Sequence, residues 1–166
     1  MKYLDLIQGD NQVKCKKMWR FFKEKCGDAK GSSSNHQNWE GGYFNHINDV
    51  MEYGVYLYEL LSKVDKLPFS LSDAMLVLFL HDIEKPLKYG SKYKLDLSNE
   101  EIRKLLISEY EIELSSVHIS ALKYIHGEGN DYSSTKRMMN PLSAFCHCCD
   151  IISARIFFNH KSEKQM

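Results

Sequence analysis

The sequence predicts an all-α protein, a compact bundle of about six helices forming a single domain over residues 1–166. Three observations predict it. Apolar residues recur at three- and four-residue spacing in successive stretches, the period of a helix that buries one face. Capping and stop residues bracket those stretches. Long polar segments, some rich in Gly and Ser, separate them. A chain of 166 residues with 43% hydrophobic content is long enough to bury one core and a pocket.

The first helix is expected over 10–26, DNQVKCKKMWRFFKEKC, with Asp10 or Asn11 as its cap and Gly27 as its stop. Val13, Trp19, Phe21 and Phe22 supply its apolar face. The opposite face carries Lys14, Lys16, Lys17, Arg20, Lys23 and Lys25, a basic stripe that reads mainly as a solvated surface. Arg20, beside Trp19, is the one member singled out as a candidate phosphate contact. The stretch GDAKGSSSNHQNWEGG follows as a long loop carrying His36, Asn38 and Trp39, and long loops inside compact domains are often functional.

Ile47, Val50, Met51, Gly54, Leu57, Leu60 and Leu61 mark a second helix over 43–61, with His46 in its first turn and close to the buried stripe. Ser70, Ser72 and Asp73 offer caps for a third helix over 73–84, which Pro86 keeps from running far. This helix delivers His81 and Asp82 at the end of an apolar run. An ionised carboxylate is costly there unless a cation or donor compensates it. Glu84 and Lys85 fall three and four residues after His81, so all three side chains share a face if the helix persists.

After the polar loop LKYGSKYKLDL, Ser98 and Glu101 form a capping-box pattern that opens a fourth helix, ending near Ser108. A fifth begins at Ser115 or Ser116, carries His118 and His126, and stops at Gly127. The loop GEGNDYSSTKRMMN then leads to Asn140-Pro141, a cap and first-turn pair for a last helix, PLSAFCHCCDIISARIFF. Leu142, Phe145, Cys149, Ile152 and Ile156 make its core stripe, and Asp150 falls beside that stripe.

The charges balance, 22 basic against 22 acidic residues, so no global field draws the chain to nucleic acid or to an anionic membrane. The N-terminus lacks the apolar core of a signal peptide and no apolar run approaches bilayer length, so a cytoplasmic protein with no membrane partner is expected. Five cysteines, an odd number, read as reduced and mostly buried thiols rather than a disulfide framework. The CHCC run at 146–149 steps around a helix axis, so its side chains do not converge on a zinc ion.

His46, His81 with Asp82, and Asp150 thus lie on three expected helices, with 35 residues from His46 to His81 and 68 from Asp82 to Asp150. This order of ligand types, H…HD…D, resembles the HD-domain metal-dependent phosphohydrolase superfamily over about residues 36 to 155. WEGGYFNHINDV looks like its first-ligand segment, with a Gly-Gly pair ahead of the helix. NPLSAFCHCCDIISA looks like its last helix. One departure is Glu84, where many members have Gly.

The resemblance implies a helical HD domain whose metal ligands are His46, His81, Asp82 and Asp150. Two imidazoles and two carboxylates suit a divalent transition metal, Mn, Co, Ni, Fe or Zn, better than an all-oxygen site, and one ion is favoured. Such an ion binds a phosphoryl oxygen and activates a water, so hydrolysis of a phosphate ester or anhydride is the expected reaction. Glu84 and Lys85 are the candidate catalytic residues, with Lys85, Arg137, Lys136 and Arg20 as phosphate contacts. His126 and His118 are candidates for a second metal or for substrate contact. Eight residues set them about 80° apart on a helix, out of register. Trp39, Tyr132 and Tyr89 could stack on a base.

A nucleotide substrate, of the nucleotidase or dNTP triphosphohydrolase type, fits the balanced charge better than a strand does, since nucleases generally use an extended basic track. The alternatives are a single-strand nuclease or phosphodiesterase of HD type, with short single-stranded nucleic acid as its partner, and a non-catalytic metal-binding regulatory domain. A homo-oligomer stays open at this level.

Overall fold

The computed structural model describes residues 1–93 and 95–159. Lys94, within the polar loop expected between the third and fourth helices, and residues 160–166 of the expected single domain lie outside the described residues. The architecture is all helical. After a short 3₁₀ turn at Lys2–Leu6 come α1 (Asp10–Lys25), α2 (Gly42–Leu61), α3 (Leu71–Leu80), α4 (Lys85–Tyr89), α5 (Asn99–Glu109), α6 (Ser116–Tyr124) and α7 (Pro141–Ile151). The six helices other than the five-residue α4 correspond in order to those expected from the sequence.

Helix α3 is the central strut. Seven consecutive residues, Ala74 to Leu80, are buried, because α2, α6 and α7 all pack on it. Helix α2 makes an unusually close approach to α3 at Gly54, where a Cβ would come within 2.6 Å of Leu78 and 2.8 Å of Met75. Helix α1 joins through aromatic contacts, with Trp19 against Tyr43 and Phe44 of α2 and Phe79 of α3.

Local chemistry explains most of the helix ends. Ser70 with Asp73 and Ser98 with Glu101 form reciprocal capping boxes, and Asn140 accepts from the Ser143 N–H. Three expectations need correction. Gly9, and neither Asp10 nor Asn11, caps α1. Val13 is 69% exposed, and Cys15 and Met18 take the buried face with Trp19 and Phe22. Ile156 is 63% exposed because the last helix does not hold its period: it passes into a π-turn at Ile152–Ile156, which rotates later residues off the stripe.

The third helix also stops earlier than expected, at Leu80. Pro86 has no N–H, and its ring clashes with the carbonyl four residues back, that of Asp82, in a continuing helix. The chain turns instead, with the Lys85 N–H bonded to Asp82 O at 3.0 Å, and restarts as α4 with Pro86 in its first turn. Among the described residues no helix is long and apolar enough to cross a membrane. The cysteines are free thiols, all buried except Cys148.

Candidate metal centre

Three helices bring the sequence-singled residues to one point. His46 comes from the first turns of α2, His81 and Asp82 from the turn after α3, and Asp150 from the last turn of α7. His46, His81 and Asp150 each offer a ligand atom, and these atoms all lie within 4.8 Å of one another. The Nε2 atoms of His46 and His81 are 3.2 Å apart. Asp150 Oδ1 is 3.3 Å from the first and 3.7 Å from the second. Asp82 Oδ2 completes the group at 3.3 and 3.1 Å from the same two nitrogens.

Each imidazole is anchored from behind. His81 Nδ1–H donates to the Leu78 carbonyl at 2.7 Å, which leaves Nε2 facing the cluster. His46 Nδ1 meets Ser153 Oγ at 3.0 Å, so its Nε2 also faces inward. Histidine ligands usually have the second ring nitrogen engaged in this way. Both rings are fully buried, and Asp82 is only 2% exposed.

The electrostatics are those of carboxylates held ionised under cover. Burial opposes the charged form of His81, but the Asp82 and Asp150 carboxylates outweigh it and push the imidazole up to about 10. Burial also works against ionised Asp150, yet hydrogen bonds from His126, His46 and His81 hold it well below the usual carboxylate range. Asp82 is likewise lowered against the effect of burial, with His81 and Lys85 beside it. Its Oδ2 is buried and has no hydrogen bond of good geometry, although Lys85 Nζ lies 2.5 Å away. Two inward imidazole nitrogens and the Asp150 and Asp82 carboxylates fit a divalent cation, which would take the place of the proton on His81.

The other singled-out residues separate sharply. His126, 51% exposed by side chain, stands at the mouth with Nδ1 3.2 Å from Asp150 Oδ2 and Nε2 3.6 Å from Asp82 Oδ1. Lys85 reaches Asp82 from the other side. Because the helix breaks before Glu84, the shared face expected for His81, Glu84 and Lys85 does not form. Glu84 pairs instead with Arg103 of α5 at 3.2 Å, and its pKa is raised by burial and by the Asp82 charge. His118 does not join the cluster. Its Nδ1 accepts from the Ser115 N–H and its Nε2 pairs with Asp73 at 2.9 Å, so it serves as a helix cap.

Arg137 and Lys136 are exposed and make no hydrogen bond or ion pair with the cluster. Arg20 lines a separate groove of about 500 Å³ with Lys16 and Lys23. Trp39 is half-buried and donates through Nε1 to Asn45 at 3.0 Å, whereas Tyr132 is 71% exposed and Tyr89 is half-buried. His147 is used locally, with Nδ1 on the Ile125 carbonyl. An apolar groove of about 640 Å³ between the end of α2 and α7 contains none of the cluster residues.

Sequence reasoning passed over four residues around the cluster. His36, noted only as a loop imidazole, lies tilted against the His46 ring at 5.0 Å with Nε2 3.4 Å from Lys85 Nζ; burial, His46 and Lys85 push its pKa down to about 4. Arg103 holds Glu84, while Gln37 and Ser153 back His46. His36 had a signal in its residue type; the other three had none. No protein-family model matches the chain, and neither a curated protein nor a solved structure does.

Proposed function

We propose that this chain is a single-domain, metal-dependent phosphohydrolase of HD type that hydrolyses a phosphate ester or anhydride of a nucleotide. The observation that carries the reading is the convergence of His46, His81 and Asp150, with Asp82 beside them, their ligand atoms facing a common point. A bound transition ion, for which Mn²⁺, Co²⁺, Ni²⁺, Fe²⁺ and Zn²⁺ all match this donor set, supplies Lewis acidity toward a phosphoryl oxygen and a nucleophile from water.

The protein's own residues divide the remaining work. Lys85, between Asp82 and His36, offers a cation to the phosphate that approaches the mouth. His126, the most exposed of the histidines at the cluster, is placed to exchange a proton with a leaving oxygen. Glu84 is given a structural task, since Arg103 occupies its carboxylate. The balanced charge of the chain favours a small substrate over a long strand.

Incubation of the purified protein with Mn²⁺ or Co²⁺ and a panel of nucleoside mono-, di- and triphosphates should release phosphate or pyrophosphate-containing products, and Asp82→Ala should stop it. Cleavage of single-stranded RNA or DNA without turnover of free nucleotides moves the assignment to a nuclease. A second reading, a metal-binding regulatory domain, draws on the Glu84–Arg103 pair, which removes an acidic residue from the reaction. It requires tight metal binding and no turnover anywhere in the panel.

A further inference from the structure

Behind His46 lies a polar arrangement that neither ligand count nor packing requires. The π-turn after Asp150 carries Ser153 into a fully buried position, with its Oγ 3.0 Å from His46 Nδ1 and 3.3 Å from Gln37 Nε2. Such turns recur at functional sites because they re-aim one residue out of the helical period. Gln37 is itself fully buried, although it belongs to a polar loop, and its backbone is held at φ 42°, in the left-handed region.

That conformation is enforced from several directions. The Gln37 N–H donates to Phe158 O at 3.0 Å, just beyond the π-turn, and its carbonyl accepts from the Gly31 N–H at 3.0 Å. Gly42, the first residue of α2, leaves room for it: a Cβ there would lie 1.9 Å from the Gln37 carbonyl oxygen. Yet the Oε1 of Gln37, also buried, has no hydrogen-bond partner. A strained backbone holding an amide that is satisfied at one end only is a poor choice for stability, and strain of this kind collects at functional sites.

We propose that Gln37 and Ser153 form a positioning relay that holds the His46 ring proton on Nδ1 and so presents its Nε2 lone pair to a metal ion. The inference rests on the metal-site part of the reading above and is independent of the reaction. Nε2 of His46 faces His81 Nε2 at 3.2 Å and the Asp82 and Asp150 oxygens at 3.3 Å each, so Nε2 is the ring atom turned to the cluster and Nδ1 the one the relay holds. Metal ligation needs the lone pair on Nε2, so the ring's one proton must sit on Nδ1.

In that tautomer Nδ1–H donates to Ser153 Oγ, and the Ser153 hydroxyl donates in turn to the Gln37 amide oxygen once the amide has turned over. A hydroxyl both donates and accepts, so Ser153 takes the Nδ1–H and passes its own proton on to the amide. The unmatched amide oxygen is the end that the ligated state calls on.

The test is Co²⁺ affinity by competition titration, with the Co²⁺ absorption spectrum and the melting temperature of the metal-free protein measured on the same samples. Ser153→Ala should bind Co²⁺ about 10- to 100-fold more weakly, the usual effect of removing an outer partner of a ligand histidine, with a changed spectrum. Ser153→Thr, which keeps the hydroxyl, should restore affinity. Gln37→Glu, which can only accept and therefore favours Nδ1–H on His46, should bind more tightly than Gln37→Met. Wild-type affinity in Ser153→Ala, or equal affinities in Gln37→Glu and Gln37→Met, overturns the relay. If Ser153→Ala does not fold, the Gln37 pair decides. Absence of Co²⁺ binding in the wild type overturns the metal site itself, and the relay with it.

Discussion

Helix α3 has a His–Asp contact at each end, and the two have opposite characters. At its N-terminal end, Asp73 closes a capping box and meets His118 Nε2 at 2.9 Å, while His118 Nδ1 accepts from the Ser115 N–H. Both nitrogens are spent, and the Asp73 side chain is partly exposed. At its C-terminal end, His81 uses one nitrogen on Leu78 O and turns the other, fully buried, toward His46, Asp82 and Asp150. Residue types do not distinguish the two. What distinguishes them is an uncommitted lone pair, burial, and the arrival of donors from other helices.

The largest effect expected from breaking this contrast is at the buried end. His81→Ala or Asp150→Ala should weaken Co²⁺ binding by more than about 100-fold, beyond the range seen for outer partners, and remove any phosphate release. Isothermal titration with a circular dichroism control checks it. His118→Ala should leave the affinity unchanged.

The Glu84–Arg103 pair gives an intermediate case, a buried ion pair with no convergence. Arg103→Ala leaves the Glu84 carboxylate covered and unpaired, and should cost about 3 kcal/mol in urea unfolding. Metal stoichiometry should not change.

A third expectation concerns pH. The folded pKa of His81 is raised from 6.5 to about 10, so its proton adds stability below pH 6.5 that is lost as pH rises through 10. Asp82 and Asp150 are lowered, so their contribution is present above pH 4 and lost as pH falls. A bound cation takes the place of the His81 proton, so the alkaline loss should vanish on loading. At a fixed Co²⁺ concentration the stabilisation, about 2.7 kcal/mol where the ion is at 100 times its Kd, should therefore grow from pH 6 to pH 9 and show as a growing gain in melting temperature. A gain that is flat or falls over this range breaks the link between the cluster and the ion.

The smallest effect belongs to the capping end. His118→Ala removes one partner of a partly buried cap and should cost about 1 kcal/mol. A larger loss would show that this end, too, is a buried centre.

The sequence made much of this legible, and the missing parts share a cause. His81 and Asp82 stood out because an apolar run carries them, and His46 and Asp150 because each falls beside a buried stripe. The caps at Ser70, Ser98 and Asn140 follow local rules and appear where expected. An unbroken helix would set Glu84 and Lys85 on the face of His81; with the turn before Pro86, Glu84 goes to Arg103, while Lys85 reaches Asp82 three residues back. Ile156 was read on an unbroken 3.6-residue period, which the π-turn ends. His118 looked like a second ligand because spacing does not reveal that both its nitrogens are used. Arg103, Gln37 and Ser153 act across 19, 116 and 107 residues of sequence, through contacts that no local pattern encodes.

The most direct test of the central claim is the metal content of the intact chain, by elemental analysis after purification and by Co²⁺ titration of the stripped protein. About one ion per chain is expected, lost in His46→Ala, His81→Ala and Asp150→Ala and retained in His118→Ala. No bound ion in the wild type, or an ion that survives those three substitutions, would contradict it.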